Sequence, residues 1–358
     1  MSADRVQAVI AALKTVLDPE LHKDLVTLNM ARDVQVAGDD VSMRVVLTTP
    51  ACPLKGKIEG DVRAALARLG WVQNVAIAWD AEVRANTGFG QTGDLLPGVR
   101  NTIAIASGKG GVGKTTVAVN LAVALHTLGA RVGVLDADIY GPNVPGMLGV
   151  EGRPFLQDDK IQPLFGYGLP VMSMGFLTEP GAAVIWRGPM IAQALRQLLQ
   201  DVAWGELDYL VVDLPPGTGD APLSLSQLLP LAGAVIVSTP QEVALQDVRR
   251  GIAMFEKLRV PVLGVVENMS YFLAPDTGVR YEIFDHGGGA RAAEQFEVPF
   301  LGEIPLDTRI RIGSDNGQPV AALGPDDTLA APYFAIAQRV AAEVSKLNAE
   351  KPEPLPVL

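Results

Sequence analysis

Cysteine is almost absent: Cys52 is the single one in 358 residues. A lone thiol excludes an intrachain disulfide and any metal site needing two thiolates from one chain. Long apolar runs are missing too, since none approaches the ~20 residues of a membrane-spanning helix. The first ten residues place Asp4 and Arg5 among their apolar neighbours and show no signal-peptide pattern. Basic residues are in deficit, 29 Lys and Arg against 40 Asp and Glu, for a net charge of −11. That balance argues against a sequence-independent grip on nucleic acid or anionic lipid. The expectation is a cytoplasmic protein with no nucleic-acid and no membrane partner. What is present is a globular composition, 48% hydrophobic and 19% charged, which excludes a disordered or collagen-like chain.

Two textures divide the chain. In residues 1–85, Val6, Ile10, Leu13 and Leu17 recur at helical spacing up to Asp18-Pro19. Strand signals at 34–36 and 41–47 flank the turn at Gly38, a second helix spans 58–69, and a last strand spans 72–79. This predicts a small α+β domain. Residues 86–98 are rich in Gly and Thr and read as a linker, flexible or packed as a loop on the larger domain. From residue 99 to 348, apolar strands alternate with helices, which predicts an α/β fold with a parallel sheet flanked by helices. The Gly/Pro-rich stretch 141–187 reads as loops, and 349–358 as a disordered tail.

The strongest motif is Gly108-Lys109-Gly110-Gly111-Val112-Gly113-Lys114-Thr115, between a predicted strand and a predicted helix. It fits the phosphate-binding loop of nucleotide triphosphatases. Glycines let successive backbone N–H groups curl around phosphate oxygens, and the following helix adds its positive end. Lys114 is expected to neutralise β/γ charge and Thr115 to ligate Mg²⁺, while Thr116 supports the loop or approaches the α-phosphate. Tyr209 to Asp213 is an apolar strand ending in a carboxylate, which puts Asp213 in the Mg²⁺ shell. Gly217, just beyond, is positioned to offer its N–H to the γ-phosphate. Asp136 and Asp138 end another buried strand on one side of the chain. One is expected to order metal-bound waters and the other the attacking water.

With Lys109, the loop resembles the deviant Walker A class. That resemblance implies a homodimer in which Lys109 reaches the partner's phosphates as a charge-stabilising catalytic residue beside Lys114. It also implies Asp138 for water activation, Asp136 for the metal shell and Asn268 for adenine recognition. Further stretches agree: DADIYGPN at 136–143, WRGPM at 186–190, DLPPGTGD at 213–220, ENMSYF at 267–272 and IPLD at 304–307. Together they resemble the Mrp/NBP35 (ApbC) group of iron–sulfur cluster carrier ATPases. Asp18-Pro19-Glu20 and Thr48 to Pro53 resemble the MIP18-like domain fused ahead of such ATPases. The resemblance implies ATP-gated assembly or transfer of [4Fe–4S] clusters, with apo iron–sulfur proteins and cluster-assembly scaffold proteins as partners.

The chain departs from that group at one place. The group carries C-P-x-C after the N-M-S-Y-F stretch, and here Ala274 and Thr277 stand in the two cysteine positions. Neither supplies a thiolate to iron. Cys52 is then the one candidate Fe–S ligand or sulfur relay, with an inert thiol as the alternative. A helix start and Lys55 beside it are expected to lower its pKa. His286 is either an iron ligand or part of a Gly-rich loop near the dimer interface. A second function class follows, an ATP-switched dimeric adaptor that holds no cluster. A partitioning ATPase needs DNA or membrane contact, for which the sequence offers neither a basic run nor an amphipathic anchor.

Overall fold

The computed structural model describes residues 2–86, 95–177 and 188–350. Residues 87–94 of the expected linker, 351–358 of the expected tail, and Trp186 and Arg187 of the WRGPM stretch lie outside the described residues. The chain divides into two compact units, residues 1–84 with 341–358, and residues 85–340.

The first unit contains α1 (Ser2–Leu13), β1 (Ala31–Ala37), β2 (Asp40–Leu47), α2 (Lys55–Ala67) and β3 (Asn74–Ala81). β1 and β2 form an antiparallel hairpin and β3 lies parallel to β2, so α2 is the crossover that a parallel pair requires. Val41, Met43 and Val45 of β2 pack with Ile58, Val62 and Leu66 of α2 and with Val9 and Leu13 of α1. α1 ends before the expected Leu17. Thr15 Oγ1 donates to the Ala12 carbonyl at 2.7 Å in a closing turn, and Val16 reaches the core from outside the helix. Leu17, the last residue of the expected helical spacing, is exposed, and its neighbour Val16 is the one buried.

The second unit runs β4 (Val99–Ala106), α3 (Lys114–Thr127), β5 (Val132–Asp136), α4 (Val144–Met147), β6 (Phe155–Gln157), β7 (Lys160–Gln162), β8 (Leu164–Gly166) and β9 (Leu169–Ser173). It continues α5 (Gly188–Gln200), β10 (Leu207–Asp213), α6 (Asp220–Leu228), β11 (Leu231–Ser238), α7 (Glu242–Lys257) and β12 (Val262–Glu267). The last elements are β13 (Phe272–Leu273), β14 (Arg280–Tyr281), α8 (Gly288–Gln295), β15 (Phe300–Glu303), α9 (Thr308–Asp315) and α10 (Ala331–Ala349), whose final residues belong to the first unit. Eight strands form one sheet in the order β15-β12-β11-β4-β10-β5-β9-β8, parallel except for the edge strand β8.

Every residue of β5, β10 and β11 is buried, as helices on both faces of a parallel sheet require. α3 is buried without interruption from Val117 to Leu125, so it is a core helix rather than an amphipathic one. Its one polar residue there, Asn120, is satisfied at both ends, donating to Thr116 O at 2.9 Å and accepting from Ala321 N at 2.8 Å. After β4 the chain builds outward on one side through β5 and β9. After β10 it builds outward on the other, through β11, β12 and β15. The crevice at the carboxyl ends of β4, β10 and β11 is therefore the topological switch point, where ligands bind in open α/β sheets.

The stretch 141–187 corrects the expectation of loops alone. It contains α4 and β6 to β9, and β9 joins the central sheet beside β5 with all five residues buried. Pro170 removes a ladder donor inside this strand and hides it from a reading of sequence.

Candidate nucleotide site

The chain leaves β4 at Ala106 and enters α3 at Lys114, curling around the end of the central strand. Gly113 caps α3 in the left-handed region at φ +80°, and a Cβ there would overlap the Asn268 amide nitrogen. Gly108 is closed in as well, because a Cβ would run into the Asp247 backbone. Three bonds hold the loop from outside. Asn268 Nδ2 donates to Val112 O at 2.8 Å, Gly217 N to Ser107 O at 2.9 Å, and Ser107 Oγ to Lys109 O at 3.0 Å. Among the described residues no acceptor takes the backbone N–H of Gly110, Gly111, Gly113, Lys114 or Thr115. Five N–H groups converging at a helix start form an anion cradle.

Facing the cradle, β5 and β10 pair with Asp136 opposite Asp213. Lys114 Nζ lies 2.6 Å from Asp213 Oδ1 and 3.7 Å from Asp138 Oδ2. Thr115 Oγ1 donates to Asp213 Oδ2 at 2.7 Å, so both oxygens of Asp213 are engaged by the loop. Asp136 accepts three hydrogen bonds, from Asp138 N at 3.1 Å on Oδ1, and from Val144 N at 3.2 Å and Ser173 Oγ at 3.0 Å on Oδ2. The Lys114 ammonium thus lies against two of the three buried carboxylates, Asp213 and Asp138. Burial, followed by the charge of Asp213, pushes Asp136 up to about 7. Burial also raises Asp213, against the pull of Lys114 and Thr115. A hydroxyl and a carboxylate converging with phosphate oxygens make the hard-oxygen set that suits Mg²⁺.

The structure brings Lys114, Thr115, Asp136, Asp138 and Asp213 together as the sequence suggested. Lys109 is half-buried in the loop, and among the described residues its ammonium meets no carboxylate. Thr116 stands in the first turn of α3, its carbonyl held by Asn120. Two of the expected residues already have partners within the protein: Gly217 N–H is bound to Ser107 O, and the buried Asn268 uses its Nδ2 on the loop. Ser107 and Ser173 belong to no recognisable pattern and were missed.

In the first unit Cys52 precedes α2, and the N–H groups of Leu54 and Lys55 favour its thiolate. Burial outweighs them and, with the charges of Glu20 and Asp18, pushes the thiol up to about 11. The expected lowering is therefore overturned. The Lys55 ammonium stacks over the Trp79 ring at 5.1 Å instead of serving the sulfur. In the second unit, Ala274 and Thr277 lie in the tight turn between β13 and β14, where Gly278 N donates to Ala274 O at 2.8 Å. His286 contacts Ser270 Oγ at 3.2 Å and an Arg280 guanidinium nitrogen at 3.0 Å. Among the described residues no three His, Cys, Asp or Glu side chains converge to hold a metal ion, and no helix is long and apolar enough to cross a membrane.

Comparison with known proteins adds an independent line. Residues 98–341 match the family described as NUBPL iron-transfer P-loop NTPase, and residues 6–78 match the family described as iron–sulfur cluster assembly protein. An iron–sulfur cluster carrier protein of Deinococcus radiodurans is 52% identical over 355 residues, covering 98% of this chain and 99% of that protein. Its Synechocystis counterpart is 51% identical over 344 residues, covering 94% and 97%. Among solved structures, a nucleotide-binding protein of Archaeoglobus fulgidus in complex with ADP is 43% identical, with a TM-score of 0.58 over 65% of this chain and 92% of that one.

Proposed function

The chain belongs to the NUBPL iron-transfer P-loop NTPase family, and from that premise we propose that it is an ATP-hydrolysing, homodimeric carrier that assembles or transfers [4Fe–4S] clusters to apoproteins in the cytoplasm. The observation that carries the ATPase reading is the glycine-rich loop whose N–H groups meet no acceptor among the described residues, together with the buried Lys114–Asp213 pair at its end. Residues 1–85 serve it as a MIP18-like domain, joined by the linker 86–98.

When triphosphate enters, Lys114 exchanges Asp213 for the β/γ-phosphates. Thr115 and Asp213 would hold Mg²⁺, with Asp136 in its outer shell, and the ion would supply charge neutralisation on the phosphates. Asp138 orients the attacking water, its backbone fixed by Asp136 Oδ1. Lys109, whose ammonium meets no carboxylate among the described residues, reaches the other subunit's phosphates and stabilises the charge of transfer. Gly217 gives up Ser107 for the γ-phosphate. Asn268 keeps Val112 with Nδ2 and reads adenine with its remaining oxygen.

Ala274, Thr277 and the protonated thiol of Cys52 favour a second reading, an ATP-switched adaptor that brings scaffold and apo-acceptor together without holding the cluster. Iron and sulfide content after anaerobic reconstitution separates the two. Stoichiometric iron in the wild type that is lost in Cys52→Ala supports carriage. A colourless protein that still activates an apo-acceptor in the presence of ATP supports the adaptor. A colourless protein that activates nothing removes the iron–sulfur reading for this chain.

A further inference from the structure

Ser173, the last residue of β9, is wholly buried. The sheet register sets it beside Asp136. Its hydroxyl accepts from Gly175 N at 3.0 Å and donates to Asp136 Oδ2 at 3.0 Å. An ionised carboxylate only accepts, so the hydroxyl gives its single proton to Asp136 while one of its lone pairs takes the Gly175 N–H. Gly175 is itself held in place. A Cβ there would press on Pro142 Cβ and Cγ at 3.0 Å and on Ser173 Oγ at 3.2 Å. Among the described residues no cation pairs with Asp136, since Lys114 reaches Asp213 and Asp138. Its other two donors are backbone N–H groups of the loop that carries Asp138. Among the described residues, Ser173 is the only side chain that donates to it.

We propose that Ser173 is a positioning residue of the nucleotide site, its hydroxyl locking the Asp136 carboxylate in the orientation that both holds the Asp138 N–H and serves the magnesium shell. This rests on the ATPase reading above. Removing the hydroxyl frees the carboxylate to turn, disturbing Asp138 and the metal shell together. Loss of such an outer partner typically costs ~10–100-fold in metal affinity or activity.

The test measures binding of a fluorescent ATP analogue to the full chain in EDTA and in Mg²⁺, together with the Mg²⁺ concentration at half-maximal hydrolysis. For Ser173→Ala, affinity in EDTA stays at the wild-type value. The gain on adding Mg²⁺ shrinks by about tenfold, and the half-maximal Mg²⁺ rises by about tenfold. Ser173→Thr, which keeps a donor, restores both. Ser173→Ala with a lower melting temperature but an unchanged Mg²⁺ gain overturns the proposal, because packing alone then explains the residue. If Ser173→Ala does not fold, Ser173→Cys keeps the volume with a weak donor, and equal Mg²⁺ gains in the Cys and Thr variants overturn it. A wild type with no affinity for the analogue defeats the ATPase reading, and this inference with it.

Discussion

Asp136 makes the stability of the metal-free protein fall as pH rises. Its carboxyl titrates at about 7 in the fold against an ordinary value of 3.8, so between these values the folded chain holds a proton that the unfolded chain has released. The folded state therefore loses stability as pH climbs through this window and stops losing it above the folded value. The whole effect is about 4 kcal/mol, of which about 2.5 kcal/mol falls between pH 5 and pH 8. Asp136→Asn removes this titration. It also sets an NH₂ among three donors, at a cost of about 1–3 kcal/mol at every pH. The discriminating quantity is thus the slope. Urea unfolding in EDTA at pH 5 and pH 8 should show the wild type losing about 2–3 kcal/mol more than the variant. Saturating Mg²⁺ and ADP should flatten the wild-type slope. Equal pH dependence in the two proteins would mean that the carboxylate is ionised throughout and that the argument from burial and Asp213 is wrong.

Asp138→Ala should bind Mg-ATP and fail to turn it over, and unchanged phosphate release in a colorimetric assay removes it from water activation. Lys109→Ala and Lys114→Ala subunits, each inactive alone, should regain about a quarter of the wild-type turnover on equimolar mixing, because about half of the dimers pair one of each and re-form one site of two when Lys109 acts in trans; no recovery means that both lysines of a site come from the same subunit. Cys52, at about 11, should react with iodoacetamide at pH 8 about two orders of magnitude more slowly in the fold than in urea, and comparable rates by mass spectrometry refute its burial.

The phosphate loop was legible because the motif encodes backbone geometry directly. Gly113 needs a positive φ and lacks space for a Cβ, and both constraints select glycine. The carboxylates were legible because Asp136 and Asp213 each end an apolar strand and Asp138 follows the first of them by two residues. Other features depend on tertiary placement. Ser173 gains meaning only when β9 lies beside β5, and Pro170 concealed that strand. Asn268 serves Val112 across 156 residues of sequence, a partnership no local pattern records. Cys52 misled for a related reason. A helix start and a lysine can be read from sequence, whereas the burial that outweighs them, and the capture of Lys55 by Trp79, cannot. α1 shows the converse, where the apolar spacing runs on to Leu17 although the helix has ended and Leu17 is exposed.

The bond from the Gly217 amide to the Ser107 carbonyl has a consequence for how the two ends of the sheet's central pair communicate. The same N–H is the one proposed to meet the γ-phosphate, so on that reading substrate arrival weakens or breaks the tie to Ser107. A partner docking on the segment that follows β10 would then meet one of two shapes, told apart by that one bond.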